Sequence, residues 1–131
     1  MQTIPTEALD LLGPPHHAVV STIRADGAPQ LSPVWITQQD GIPSFNTVRG
    51  RAKVRNLERD PRCTFVVLDA ADPERYLQIR GRARIVADDD LEHCHALSQL
   101  YTGAPFRALA PGEIRVAVLI EPEQVSYRDG P

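Results

Sequence analysis

Residues 17–37 read HAVVSTIRADGAPQLSPVWIT, and this stretch decides the fold. His17 to Arg24 is rich in β-branched residues and partly alternating, which predicts a strand. Asp26-Gly27 follows, a dipeptide suited to a tight hairpin turn. Residues 28–37 then supply the return strand. Pro33 within it cannot donate to a ladder, so this strand belongs at an edge or a bulge. Antiparallel pairing by hairpin is therefore set within the first third of the chain.

Working outward, residues 4–12 predict a short helix, with Thr6 as its N-cap and Leu9, Leu11 and Leu12 as its apolar face. Gly13-Pro14-Pro15 stops it. After the hairpin, Asp40-Gly41 turns the chain into a third strand at 42–47. Residues 49–60, RGRAKVRNLERD, predict a helix with an apolar edge of Ala52, Val54 and Leu57, ended by Pro61. Residues 62–68 predict a buried strand. Residues 76–86 alternate, with Tyr76, Gln78, Arg80, Arg82 and Arg84 on one face and Leu77, Ile79, Gly81, Ala83 and Ile85 on the other. Asp88-Asp89-Asp90 opens a helix at 91–101, and acidic residues suit that end of a helix. Strands at 114–120 and 125–128 complete the chain. The pattern predicts a mainly β protein: a six- to seven-stranded antiparallel barrel with short helices, one domain over residues 1–131.

Composition narrows the function. Net charge is −3 over 131 residues, which speaks against general nucleic-acid binding. There is no apolar run of about 18 residues to span a membrane, and residues 1–13 carry no signal-peptide pattern. The expectation is a cytoplasmic protein. Cys63 and Cys94 fit neither a disulfide framework nor a metal-ligand spacing. His93-Cys94-His95 is a poor metal motif, because helical residues two apart do not face each other. No GxGxxG follows a strand, so the usual nicotinamide fingerprint is missing.

The charge is uneven. Thirteen arginines and a single lysine, Lys53, make up the basic residues. Arg49, Arg51, Lys53, Arg55, Arg59 and Arg62 crowd into residues 49–62 against Glu58 and Asp60, a local net of +4 that leaves −7 for the remainder. Like charges at i,i+4 repel. Either this is a solvated helix face, or an anion offsets the repulsion. A helix start with free N–H groups, a nearby Thr47 hydroxyl, the planar fork of Arg51 and the point charge of Lys53 suit a phosphate.

Two segments carry a family resemblance. Residues 21–30, STIRADGAPQ, followed by Ser32-Pro33-Val34-Trp35, resemble the first hairpin of the pyridoxamine-phosphate-oxidase-like split-barrel superfamily. Thr47 with the RAKVRNL run from Arg51 to Leu57 and the RDPR run from Arg59 to Arg62 resembles its cofactor-phosphate segment, in the form seen in actinobacterial deazaflavin-dependent reductases. The resemblance implies a homodimer with cofactor sites at the interface. It implies that Arg51 and Lys53 hold the cofactor phosphate, with the Ala52 amide beside it and Thr47 near it or near the ribityl chain. It places Gln30, Ser32 and Val34 at the ring pocket, with Asn56 bracing the phosphate loop. The implied cofactor is coenzyme F420, with FMN as the alternative. The implied activity is reduction of a small conjugated organic substrate by hydride transfer. An FMN-binding oxidoreductase of the same fold and a non-catalytic F420 carrier are the rival readings. No catalytic side chain and no metal ligand is assigned. The chain ends without the Arg- and His-bearing C-terminal segment of true pyridoxamine phosphate oxidases, so vitamin B6 oxidation is not expected.

Overall fold

The computed structural model describes residues 2–130. Seven strands form one antiparallel sheet: β1 His17–Ile23, β2 Pro29–Trp35, β3 Thr37–Gln39, β4 Ile42–Val48, β5 Arg62–Leu68, β6 Arg75–Ala87 and β7 Arg115–Asp129. Their spatial order is β2-β1-β5-β6-β7-β4-β3. The sheet rolls until β2 and β4 come into contact, giving the split β-barrel that the alternation predicts. Inside it pack Val20, Phe45, Phe65, Leu77, Ile79 and Ile120, all essentially solvent-free. Each such side chain stabilises the fold by roughly 1.5–3 kcal/mol through burial.

The hairpin forms as its sequence dictates. Ile23 pairs with Pro29 and His17 with Trp35, and Gly27 takes the positive φ the turn requires, 86°. Pro33 lies on β2, which is a sheet edge. The strand expected to run to Thr37 ends at Trp35 instead. Ile36 is fully buried, with its N–H donating to the Tyr101 hydroxyl at 3.0 Å and its carbonyl 2.8 Å from the same oxygen. That contact takes Ile36 out of the ladder, and the chain resumes as β3.

The N-terminal helix is shorter than the predicted 4–12. It is a 3-10 helix over Thr6–Leu11, and Pro5 rather than Thr6 occupies the cap, with no side-chain hydrogen bond there. The two expected C-terminal strands are one continuous β7, which pairs with β6 along its length. Gly81 explains this. A Cβ there would collide with the carbonyl of Glu121, so only glycine allows β7 to pass this close. The register shift between Arg80 and Gly81 absorbs Glu123 as a bulge.

Helix α1 spans Ala52–Arg59 and α2 spans Glu92–Thr102. Helix α1 starts later than residue 49 because Gly50 has a φ of 94° and Arg51 is extended. Its buried face is Lys53, Val54, Asn56 and Leu57. Ala52, expected on the apolar edge, is exposed. Asp88 caps α2, accepting from the N–H groups of His93 (3.1 Å) and Cys94 (2.9 Å). Gly103 ends the helix with a φ of 76°. No helix of the described residues is long and apolar enough to cross a membrane.

Candidate functional site

A cavity of about 360 Å³ opens between β2, the end of β4, the start of α1, α2 and the start of β7. Pro33, Val34 and Trp35 line it from β2, Asn46 and Thr47 from β4, and Arg51 and Lys53 from the α1 start. Cys94 and Leu97 of α2, with Phe106, Arg107 and Arg115, close the other side. Four of its lining residues are cationic and none is a carboxylate.

Lys53 is the unusual member. Its side chain lies on the buried face of α1, only 8% exposed, because the helix turns positions 53, 54, 56 and 57 toward the barrel. The ammonium sits over the Phe45 ring at 5.9 Å and forms no ion pair with a carboxylate among the described residues. Burial pushes its pKa below the ordinary lysine value, and repulsion from Arg51 and Arg115 adds to the effect. A buried cation without a counter-ion costs free energy. Arg51, exposed at the N-cap of α1, brings a second cation to the same mouth, beside the free N–H groups of the first helical turn. Thr47 is buried, 4% exposed, and lines the cavity.

The other side is held rigidly. Glu113 accepts from Arg107 Nη1 at 2.8 Å, from Arg115 Nη1 at 2.9 Å and from the Ala110 N–H at 2.8 Å. These bonds hold its carboxyl down at about 2. The guanidinium carbons of Arg107 and Arg115 lie 4.6 and 4.7 Å from the Phe106 ring centroid. The Phe106 N–H donates to His95 Nδ1 at 2.9 Å. Trp35 stacks on Tyr101, with centroids 5.3 Å apart and planes at 9°, so it presents a supported aromatic wall to the cavity.

Of the residues anticipated from sequence, Val34, Thr47, Arg51 and Lys53 meet at this cavity. Ala52 is exposed at the first turn of α1. Asn56 and Gln30 meet elsewhere: Asn56 Nδ2 donates to Thr22 Oγ1 at 3.0 Å, and Thr22 Oγ1 donates to Gln30 Oε1 at 3.3 Å. This chain ties α1 to the first hairpin. Ser32 Oγ is buried without a hydrogen-bond partner in the described structure. Asn46, Phe106, Arg107 and Arg115 were not anticipated. Arg115 follows a loop with no motif, and the one local hint was Asn46 lying next to Thr47. His93 and His95 bind different partners, Ser44 with Asn46 and Phe106 respectively.

The model of the family described as pyridoxamine 5'-phosphate oxidase matches residues 4–129. The chain belongs to this family. Among family relatives, an F420H(2)-dependent biliverdin reductase of Mycobacterium tuberculosis (strain CDC 1551 / Oshkosh) is 29% identical over 121 residues, spanning 91% of this chain and 84% of the relative. A solved F420 reductase is also 29% identical, with a TM-score of 0.84 over 94% of this chain and 98% of that one. A conserved protein from Mycobacterium tuberculosis superposes with a TM-score of 0.79 at 26% identity, covering 98% of this chain and 86% of that chain.

Proposed function

We propose that this chain is an oxidoreductase that binds coenzyme F420 at the cationic cavity and reduces a small conjugated organic molecule. The observation that carries the reading is Lys53, a buried cation with no carboxylate partner, facing a cavity whose lining holds no acidic residue. Such a group is offset by a bound anion. The F420-dependent activities named for two relatives at 29% identity point the same way.

The residues present fit a phosphorylated cofactor. Arg51 supplies a fork, Lys53 a point charge, the Ala52 amide and the Thr47 hydroxyl further donors. Val34 and Trp35 form an apolar wall for a planar ring; Ser32, on the same strand, lies outside the cavity lining with its hydroxyl sealed from solvent. Asn56 and Gln30 act at a distance, by fixing α1 against the hairpin through Thr22. When bound, the deazaflavin supplies the hydride. The protein's own part is to orient, to exclude water and to fix charge. The Tyr101 hydroxyl is engaged with the His16 and Ile36 carbonyls and burial pushes the Cys94 thiol up, whereas His17, exposed on the cavity lining, is the imidazole nearest this wall.

The active unit in this reading is a homodimer. Val19, Leu31 and Leu68 are 40%, 62% and 52% exposed on the outer face of neighbouring strands β1, β2 and β5. That apolar face adjoins the β2 residues that line the cavity, and light scattering at micromolar concentration tests the assembly. The cofactor site is tested by substitution. Lys53→Ala and Arg51→Ala weaken F420 binding by roughly ten- to hundredfold, from about 1.5–3 kcal/mol per charge-assisted bond. Glu92→Ala, exposed on α2, leaves affinity unchanged. Full affinity in both cation variants refutes the reading.

A further inference from the structure

A chain of hydrogen bonds leads from the cavity wall into the sheet, and it begins at Arg115. This side chain is only 10% exposed, yet it lines the cavity. Its Nε donates to Asn46 Oδ1 at 2.9 Å and its Nη1 to Glu113 at 2.9 Å. No oxygen or nitrogen acceptor among the described residues takes its Nη2, and the guanidinium lies within hydrogen-bonding reach of the Cys94 thiol, which also lines the cavity. Arg115 is also close enough to Lys53 to repel it.

The Asn46 amide has no freedom to turn. A guanidinium only donates, so the Asn46 atom facing Arg115 is the oxygen. Its Nδ2 therefore points the other way, donating to Asp88 Oδ2 at 3.0 Å and to His93 Nδ1 at 2.9 Å. His93 Nδ1 is then an acceptor, and the ring proton sits on Nε2, which faces Ser44 Oγ at 2.9 Å. Burial holds His93 in this neutral form by lowering its pKa. The amide orientation and the tautomer are thus fixed by one another, and both are fixed by Arg115.

We propose that Arg115 is a third anion-binding residue of the cavity, and that Asn46, held by His93 and Asp88, is the residue that positions it. An amide committed on both sides fixes the guanidinium beside it. The consequence is a pre-oriented cation. Arg115 pays little entropy on binding because two of its three nitrogens are already tied, whereas exposed Arg51 must be ordered by the ligand. The inference rests on the cofactor reading above and extends it to a residue on β7.

A double-mutant cycle tests it, read by equilibrium titration with coenzyme F420 and by thermal denaturation of each variant. Arg115→Gln, which keeps length and polarity, weakens binding about tenfold. Asn46→Ala weakens it by about three- to tenfold in the wild-type background. In the Arg115→Gln background the same Asn46→Ala change has less than about a twofold further effect, because the group it positions is gone. His93→Phe, which removes one of the two acceptors for Nδ2 and leaves Asp88, follows the same pattern with a smaller loss. Equal losses from Asn46→Ala in both backgrounds overturn the positioning role, since they show an effect on the fold alone. Unchanged affinity in Arg115→Gln, with Lys53→Ala still weakened, overturns this inference and leaves the cofactor reading standing. Unchanged affinity in Lys53→Ala and Arg51→Ala instead removes the cofactor reading itself.

Discussion

Replacing Lys53 by methionine separates binding from stability, because the two respond in opposite directions. Methionine keeps the buried stem and removes the ammonium. The loss comprises an attraction to the Phe45 ring at 5.9 Å, worth about 0.5–1 kcal/mol. The gain comprises desolvation of a mostly buried charge and repulsion from Arg51 and Arg115. Exchanging even a paired buried charge for well-packed apolar groups is neutral or stabilises proteins by about 1–4 kcal/mol, and Lys53 has no paired carboxylate to lose, so a net gain of about 1 kcal/mol is expected. At about 2.1 cal/mol/K per residue, a chain of 131 residues gains about 3–4 °C in Tm per kcal/mol. Scanning calorimetry of the ligand-free protein reads that rise. With F420 at a hundred times its wild-type Kd, linkage adds about 2.7 kcal/mol, or about 10 °C, to the wild type. A variant bound a hundredfold more weakly gains only about 0.4 kcal/mol, below 2 °C. A Lys53→Met protein that melts lower than wild type, and keeps the full ligand shift, refutes the argument.

Gly81→Ala lowers stability by about 1–3 kcal/mol, seen as a reduced urea midpoint, because its methyl would strike the Glu121 carbonyl. An unchanged midpoint would show that β7 moves aside freely. Glu113 has a carboxyl pKa held at about 2 by Arg107, the Ala110 N–H and Arg115, below its unfolded value. Its stabilisation is complete above the ordinary glutamate pKa and is lost as pH falls toward about 2. The stability gap between wild type and Glu113→Gln is therefore wide at pH 7 and closes on acidification, measured by urea titration at each pH.

Elements governed by local chemistry were legible in the sequence. Asp26-Gly27 announced the first hairpin, Pro33 announced an edge, and the alternation from Tyr76 to Ile85 announced which face of β6 enters the core. What escaped was set by distant partners. The break at Ile36 depends on the hydroxyl of Tyr101, 65 residues away. The continuity of β7 depends on the absent side chain of Gly81 on another strand. The site divides in the same way. Arg51 and Lys53 were visible because they crowd one short window. Arg115 and Asn46 were not, since 69 residues separate them and only the β4–β7 pairing brings them together. Gln30, expected at the ring pocket, instead accepts from Thr22, which also holds Asn56 of α1, a geometry no spacing rule reveals.

The central claim is that the cationic cavity takes a deazaflavin cofactor. It is tested most directly by titrating the purified protein with coenzyme F420, FMN and FAD side by side under one buffer. F420 is expected to bind saturably and at least about tenfold tighter than FMN, since the longer anion engages an additional cation and each 1.4 kcal/mol is tenfold. Tighter binding of FMN or FAD, or no saturable binding of F420, would contradict it.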